Sequence, residues 1–208
     1  MNTDVAEVSA LAEAWTQWQT EPTFPFTPDH CINGTRVAIE VLRRFGIRAQ
    51  PLSVRLMLFN RFGWDLFERG IRVERWPTHA WSIGVAETND PSDPGKWHGH
   101  LVAEGHDWTL DLSASQFNRP GRIVSGSALA VPIRLPQRDW ARFTDEHAQT
   151  LLLNRWPENN GWRLASGWRR PPPVPLITEI ERRTIAVLDR IRKEAMTDNP
   201  IDSTEASP

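Results

Sequence analysis

The chain has 208 residues, 39% of them hydrophobic, and a formal net charge of −2 at pH 7. That supports one domain with a substantial core and excludes the strongly basic balance of a nucleic-acid binder. No apolar run approaches the ~18 residues of a membrane span, no basic segment followed by an apolar stretch opens the chain, and the single cysteine, Cys31, fits a reducing, cytoplasmic compartment.

Val5, Val8, Leu11, Ala12, Trp15 and Trp18 recur at helical spacing and predict an amphipathic helix over 4–19. Pro22, Pro25 and Pro28 force an extended connector. Thr27-Pro28-Asp29 reads as the start of a second helix: a capping hydroxyl, a proline at the first helical position and an acid in the first turn. That helix runs through "CINGTRVAIEVLRRFG" to Gly46, a C-cap residue, with Cys31, Thr35, Ala38, Leu42 and Phe45 on one stripe and Val37, Ile39 and Val41 widening it toward full burial. "PLSVRLMLF" (51–59) places Leu52, Val54, Leu56 and Leu58 on one strand face, and "AWSIGVA" (80–86) repeats the pattern with Trp81, Ile83 and Val85. The turn-rich "ETNDPSDPGK" follows.

Residues 97–104 and 107–113 read as a hairpin turning at Gly105-His106. Residues 128–136 read as an edge strand because of Pro132, and 144–154 as a short helix. After the stiff "RRPPPVP", the residues Ile177, Ile180, Thr184, Val187, Leu188 and Ile191 mark a last helix over about 176–195. Helices first, then antiparallel strands, then a returning helix make an α+β pattern. We read it as a single domain over 1–196 with its core at about 27–136, flanking N- and C-terminal helices, and a polar, disordered tail over 197–208.

The hairpin sequence "WHGHLVAEGHDWTLDLSASQF" (97–117) carries the chemistry. A Gly105-His106 turn sets His100 opposite Asp111, with Cβ atoms ~5 Å apart on one face of the ladder, and His98 further along that face. A carboxylate beside an imidazole fixes its tautomer and stabilises the imidazolium. The nucleophile such a pair needs is available in Cys31, where a helix start and a nearby histidine cation both favour the thiolate. Free N–H groups of a first helical turn also suit an oxyanion.

"DHCINGTRVAIEVLRRFGI" together with "GHLVAEGHDWTLDLSASQF" resembles the papain-like transglutaminase/arylamine N-acetyltransferase superfamily, in particular bacterial transglutaminase-like proteins of unassigned role. The likeness covers roughly residues 27–118. It implies a buried Cys-bearing helix packed on an antiparallel sheet, with Cys31 as nucleophile, His100 as general base and Asp111 as the orienting acid. Gln116 matches a recurrent position of unassigned role. The Trp-Gly-Gln-Cys surroundings of eukaryotic transglutaminases and the Arg-Gly-Gly-x-Cys run of N-acetyltransferases are absent. The implied activity is cysteine-dependent acyl transfer: an amide, isopeptide or ester hydrolase, or an amine acyltransferase. It would act on a protein, peptide or small-molecule acyl substrate, without cofactor or metal.

Other readings of the same residues stand beside this one. A lone cysteine on an apolar stripe is also what a core residue looks like. His98, His100, Asp111 and Cys31 are a conceivable metal set, although paired metal-ligand spacings are missing. His79 in "PTHAW" is the second candidate histidine but lacks a facing acid. His30 and His106 read as solvent-exposed, and His147 as lying on a helix surface. Trp76, Trp81 and Trp97 are candidates to line a cleft. The alternative function is a binding module on the same fold with its triad inactive.

Overall fold

The computed structural model describes residues 3–25, 31–85, 97, 99–124, 128–145 and 147–197. The proposed cap at Thr27-Pro28-Asp29, His30, His98 and the tail beyond Thr197 lie outside the described residues.

The architecture is α+β, an antiparallel and nearly closed sheet with flanking helices. Helix α1 (Thr3–Gln19) buries Val8, Leu11, Trp15 and Trp18, the stripe its periodicity predicts. Helix α2 (Cys31–Arg44) buries Cys31, Gly34, Thr35, Val37, Ala38, Val41 and Leu42. It ends as Gly46 requires: φ is +77°, Gly46 N–H donates to the Arg43 carbonyl and Ile47 N–H to the Leu42 carbonyl. This is the left-handed glycine cap that returns two orphan carbonyls to hydrogen bonding.

Strand β1 (Gln50–Phe59) is the centre of the sheet. It pairs antiparallel with β2 (Ser82–Val85) and β3 (His100–Glu104) along one edge, and with β7 (Thr150–Arg155) along the other. Strands β4 (Thr109–Asp111) and β5 (Leu129–Val131) extend the sheet beyond β3, and β6 (Ala141–Thr144) extends it beyond β7. Strand β5 stops before Pro132 and forms an edge, as the missing donor of proline demands. Leu52, Val54, Leu56 and Leu58 join Val102, Val131, Leu151 and Leu153 in the cluster within the curled sheet. A second cluster lies between the sheet's other face and the helices, where α5 (Val174–Thr197) lays Ile177, Ile180, Val187 and Leu188 beside α1 and α2.

Three readings are corrected. Residues 144–154 form the β6–β7 hairpin rather than a helix. Leu151, Leu152 and Leu153 are all buried, because β7 is paired on both edges and covered on both faces, which erases the alternation that marks a strand. His147 therefore lies in a hairpin turn, not on a helix. The sheet consequently continues past residue 136, and the core with it. Helix α3 (Arg61–Glu68) follows β1 unforeseen: Asn60 caps it by accepting from Gly63 N–H at 2.8 Å.

The third correction concerns the β3–β4 register. The observed pairs are Ala103 with Leu110 and Glu104 with Thr109, and Gly105 N–H donates to the Trp108 carbonyl at 3.0 Å, so the turn is His106-Asp107. Gly105 is occupied by a different task. A Cβ there would lie 2.2 Å from the buried Trp108 ring, so the glycine admits the indole instead of making the turn. The register shifts by two residues. Asp111 becomes a diagonal neighbour of His100, and because side chains alternate with period two, both stay on the same face.

Candidate active site

Cys31 is 8% exposed at the head of α2, packed against Leu101 and Trp162. Two features hold α2 against the strands that bear the other site residues. Gly34 brings the helix backbone close to Leu112, whose Cβ would stand 3.4 Å from an added methyl. Thr35 Oγ1 donates to the buried carbonyl of Leu101 at 2.8 Å, one residue from His100.

His100 is fully buried at 0% exposure, its ring edge-on to Phe117 at 4.9 Å between centroids. Its Nε2 lies 2.7 Å from Asp111 Oδ2. The other carboxylate oxygen, Oδ1, accepts from Ser113 N–H at 2.8 Å and from Ser113 Oγ–H at 2.7 Å. Asp111 thus has both oxygens satisfied, and His100 has its Nε2 committed. Cys31 is close enough to contribute to the raised His100 pKa.

Burial opposes a charge on His100. The Asp111 carboxylate outweighs it, with a further contribution from Cys31, and together they push the imidazole pKa up to about 10. Burial likewise opposes the Asp111 charge, but His100 and the two Ser113 donors hold that carboxyl below its ordinary value. Both shifts favour the charged forms, an imidazolium beside a carboxylate.

Gln116, which sequence reasoning left without a role, lies on the same ring. Its side-chain amide is 2.8 Å from His100 Nδ1 and 3.4 Å from Ser113 Oγ. Gln116, Ser113, Asp111 and His100 close a ring of hydrogen bonds. An amide suits this position because it meets either protonation state: the NH2 donates to a bare Nδ1, and after a half-turn the oxygen accepts from Nδ1–H. Gln116 reaches the ring from the short 3₁₀ turn Ala114–Phe117 that follows β4.

The remaining histidines do not join the set. His79 is exposed in the turn before β2, edge-on to Phe62 at 4.8 Å, and its backbone carbonyl accepts from Asn60 Nδ2. His106 is exposed and pairs with Asp107. Among the described residues no group of three or more His, Cys, Asp or Glu side chains is arranged to hold a metal ion. No helix among them is long and apolar enough to cross a membrane. Of the candidate cleft tryptophans, Trp97 packs against the Cys31 cluster, Trp81 belongs to the sheet interior, and Trp76 lies by Phe59. Trp162 and Trp168, which sequence reasoning did not single out, reach the Cys31 cluster from the C-terminal third of the chain. Comparison of the chain with known protein families, curated proteins and solved structures finds no match.

Proposed function

We propose that the protein is a cysteine-dependent acyl-transfer enzyme of papain-like, transglutaminase-like type. The observation that carries this reading is the buried His100, bound at Nε2 by Asp111 and interacting with Cys31. The order of a Cys-bearing helix, a His strand and an Asp strand also supports it. In this reading Cys31 Sγ attacks the carbonyl carbon of an amide, isopeptide or ester, and the N–H groups of the first turn of α2 take the oxyanion. His100 Nδ1–H gives its proton to the leaving amine or alkoxide as the C–N or C–O bond breaks. Water or an amine then attacks the thioester and returns a proton to His100, and the C–S bond breaks to restore the thiolate. Asp111 stays ionised throughout and holds the ring.

Alkylation and acylation test this directly. Native protein is expected to react with iodoacetamide at Cys31 at pH 6–7, and p-nitrophenyl acetate should leave an acetyl thioester on Cys31 detectable by mass spectrometry. Replacing His100 by Ala, or Asp111 by Asn, should slow both reactions by orders of magnitude. Unchanged Cys31 reactivity in both variants would show that the three residues are uncoupled, and the inactive binding module would then be the better description.

A further inference from the structure

Beside Cys31 the chain builds a wall that is both aromatic and cationic. Trp162 is buried against Cys31, with Ile32, Trp97 and Trp168 packed around them. Trp162 and Trp168 meet edge to face, with centroids 4.5 Å apart. Trp97 is held by its Nε1–H donating to Asn159 Oδ1 at 2.7 Å. Its ring fills the space where Gly99 and Gly161 would otherwise carry a Cβ, at 2.3 and 3.0 Å. This wall is therefore seated rather than loose.

Two guanidinium groups stack on it. Arg36, on α2, lies 5.4 Å from the Trp168 ring centroid, and Arg163 lies 5.2 Å from that of Trp162. Neither forms an ion pair with a carboxylate among the described residues; Arg36 acts on Glu40, one turn along α2, only through its charge. The segment 159–178, which supplies Trp162 and Trp168, also carries Arg169 and Arg170, and its nearest acids are Glu158 and Glu179 at its borders. Four arginines of α5 are paired: Arg182, Arg183, Arg190 and Arg192 each meet an aspartate or glutamate. Arg163 thus stacks on a ring that packs against Cys31, and Arg36 on a ring that joins the same cluster. A guanidinium with one face on an indole keeps its N–H edge free for a carboxylate or phosphate, while the half-buried Trp97 and Trp168 leave apolar surface for the rest of a ligand.

We propose that the acyl substrate of Cys31 carries an anionic group beside a planar or apolar portion, with Arg36 and Arg163 taking the anion and the part-exposed Trp97 and Trp168 the apolar part. This rests on the reading of Cys31 as the nucleophile. Two alkylating agents of the same size and leaving group, differing in charge, separate the two ideas. Both consume the same thiolate, so the ratio of iodoacetate to iodoacetamide rate constants reports the field on the incoming reagent and not the ionisation of the thiol. That ratio should be several-fold higher in the native protein than in the urea-unfolded chain. It should fall as salt is raised, because exposed charges are screened over ~10 Å at 0.1 M. It should also fall toward the unfolded value in a combined Arg36→Gln, Arg163→Gln variant. A native ratio equal to or below the unfolded one, or unmoved by the double substitution, overturns the proposal. If neither reagent reaches Cys31 in the native state, the nucleophile reading fails, and binding of naphthalene-1-sulfonate, followed by its fluorescence, decides on the wall. Saturable binding lost in the Arg36→Gln, Arg163→Gln variant upholds an anion-accepting surface, and no binding removes it.

Discussion

His100 and Asp111 each carry a charge that burial alone would forbid, and each is kept charged by the other. The consequences for stability have opposite signs at the two ends of the pH scale. The folded pKa of His100, about 10, lies above the ~6.5 of an unfolded histidine. Its contribution is therefore complete below ~6.5 and is lost as pH rises through about 10. The Asp111 pKa lies below its ordinary value, so its contribution is present above the unfolded value of ~3.9 and is lost as pH falls through the depressed folded one. Thermal melts of the native protein against a His100→Gln, Asp111→Asn variant, in which neither group titrates, should show the largest relative stability between ~pH 4 and ~6.5. The advantage should decline toward pH 10. A melting difference that instead grows from pH 5 to ~7 would mean that His100 is neutral in the folded state, and one that stays flat from ~pH 5 to ~10 would mean that its pKa is unshifted. At this scale the sequence was legible where pairing is short-range, since His100 and Asp111 share one hairpin. Gln116 was not, because its contact with Nδ1 depends on a 3₁₀ turn whose direction no periodicity reveals.

Elements rather than single residues decide whether the thiol and the imidazole meet, because Cys31 and His100 belong to different layers. Thr35 ties those layers together: its hydroxyl donates to the Leu101 carbonyl at 2.8 Å, a full turn into α2 from Cys31 and one residue along β3 from His100. Thr35→Val keeps the shape and removes the donor, leaving a buried carbonyl unsatisfied at a cost of about 1–3 kcal/mol. The expected outcome is a lower midpoint in urea together with several-fold slower Cys31 alkylation at pH 7. A loss of stability with unaltered alkylation would show that the bond supports the fold but does not set the site. Strong local signals were legible at this scale. The α2 stripe, its Gly46 cap and the β1 alternation all appear as read. Two elements escaped for physical reasons. Strand β7 is apolar on both faces and so loses its period of two, and α3 is only eight residues long, with Asn60 as its main signal.

Across the whole molecule, the late part of the chain completes what the early part begins. Strand β7 pairs with β1 and so brings residues 150–155 into the middle of the sheet, while the tryptophans of the 3₁₀ turn Gly161–Leu164 and of α4 (Ser166–Arg169) close over Cys31. Arg155, at the end of β7, forms an ion pair with Glu104, at the end of the strand that begins with His100, and the two side chains are 8% and 0% exposed. Gln50 Nε2 donates to the second Glu104 oxygen at 3.3 Å, and Arg155 Nε donates to the Leu135 carbonyl at 2.8 Å. The pair joins β3, β1, β7 and the segment after β5 at one point. Buried pairs of this kind are costly to break and not costly to replace, because the penalty lies in the charge left behind. Glu104→Gln should therefore destabilise by about 3–5 kcal/mol, a fall of roughly 6–20 °C in melting temperature for a chain of this size, and Arg155→Met by a similar amount. The combined Glu104→Leu, Arg155→Met variant should melt above either single one, since no charge is then buried alone. Melting curves of the three variants decide the point. A double variant that loses the sum of the two single losses would show that the ion pair holds the late hairpin to the site strand by its own attraction, and that apolar packing cannot take its place.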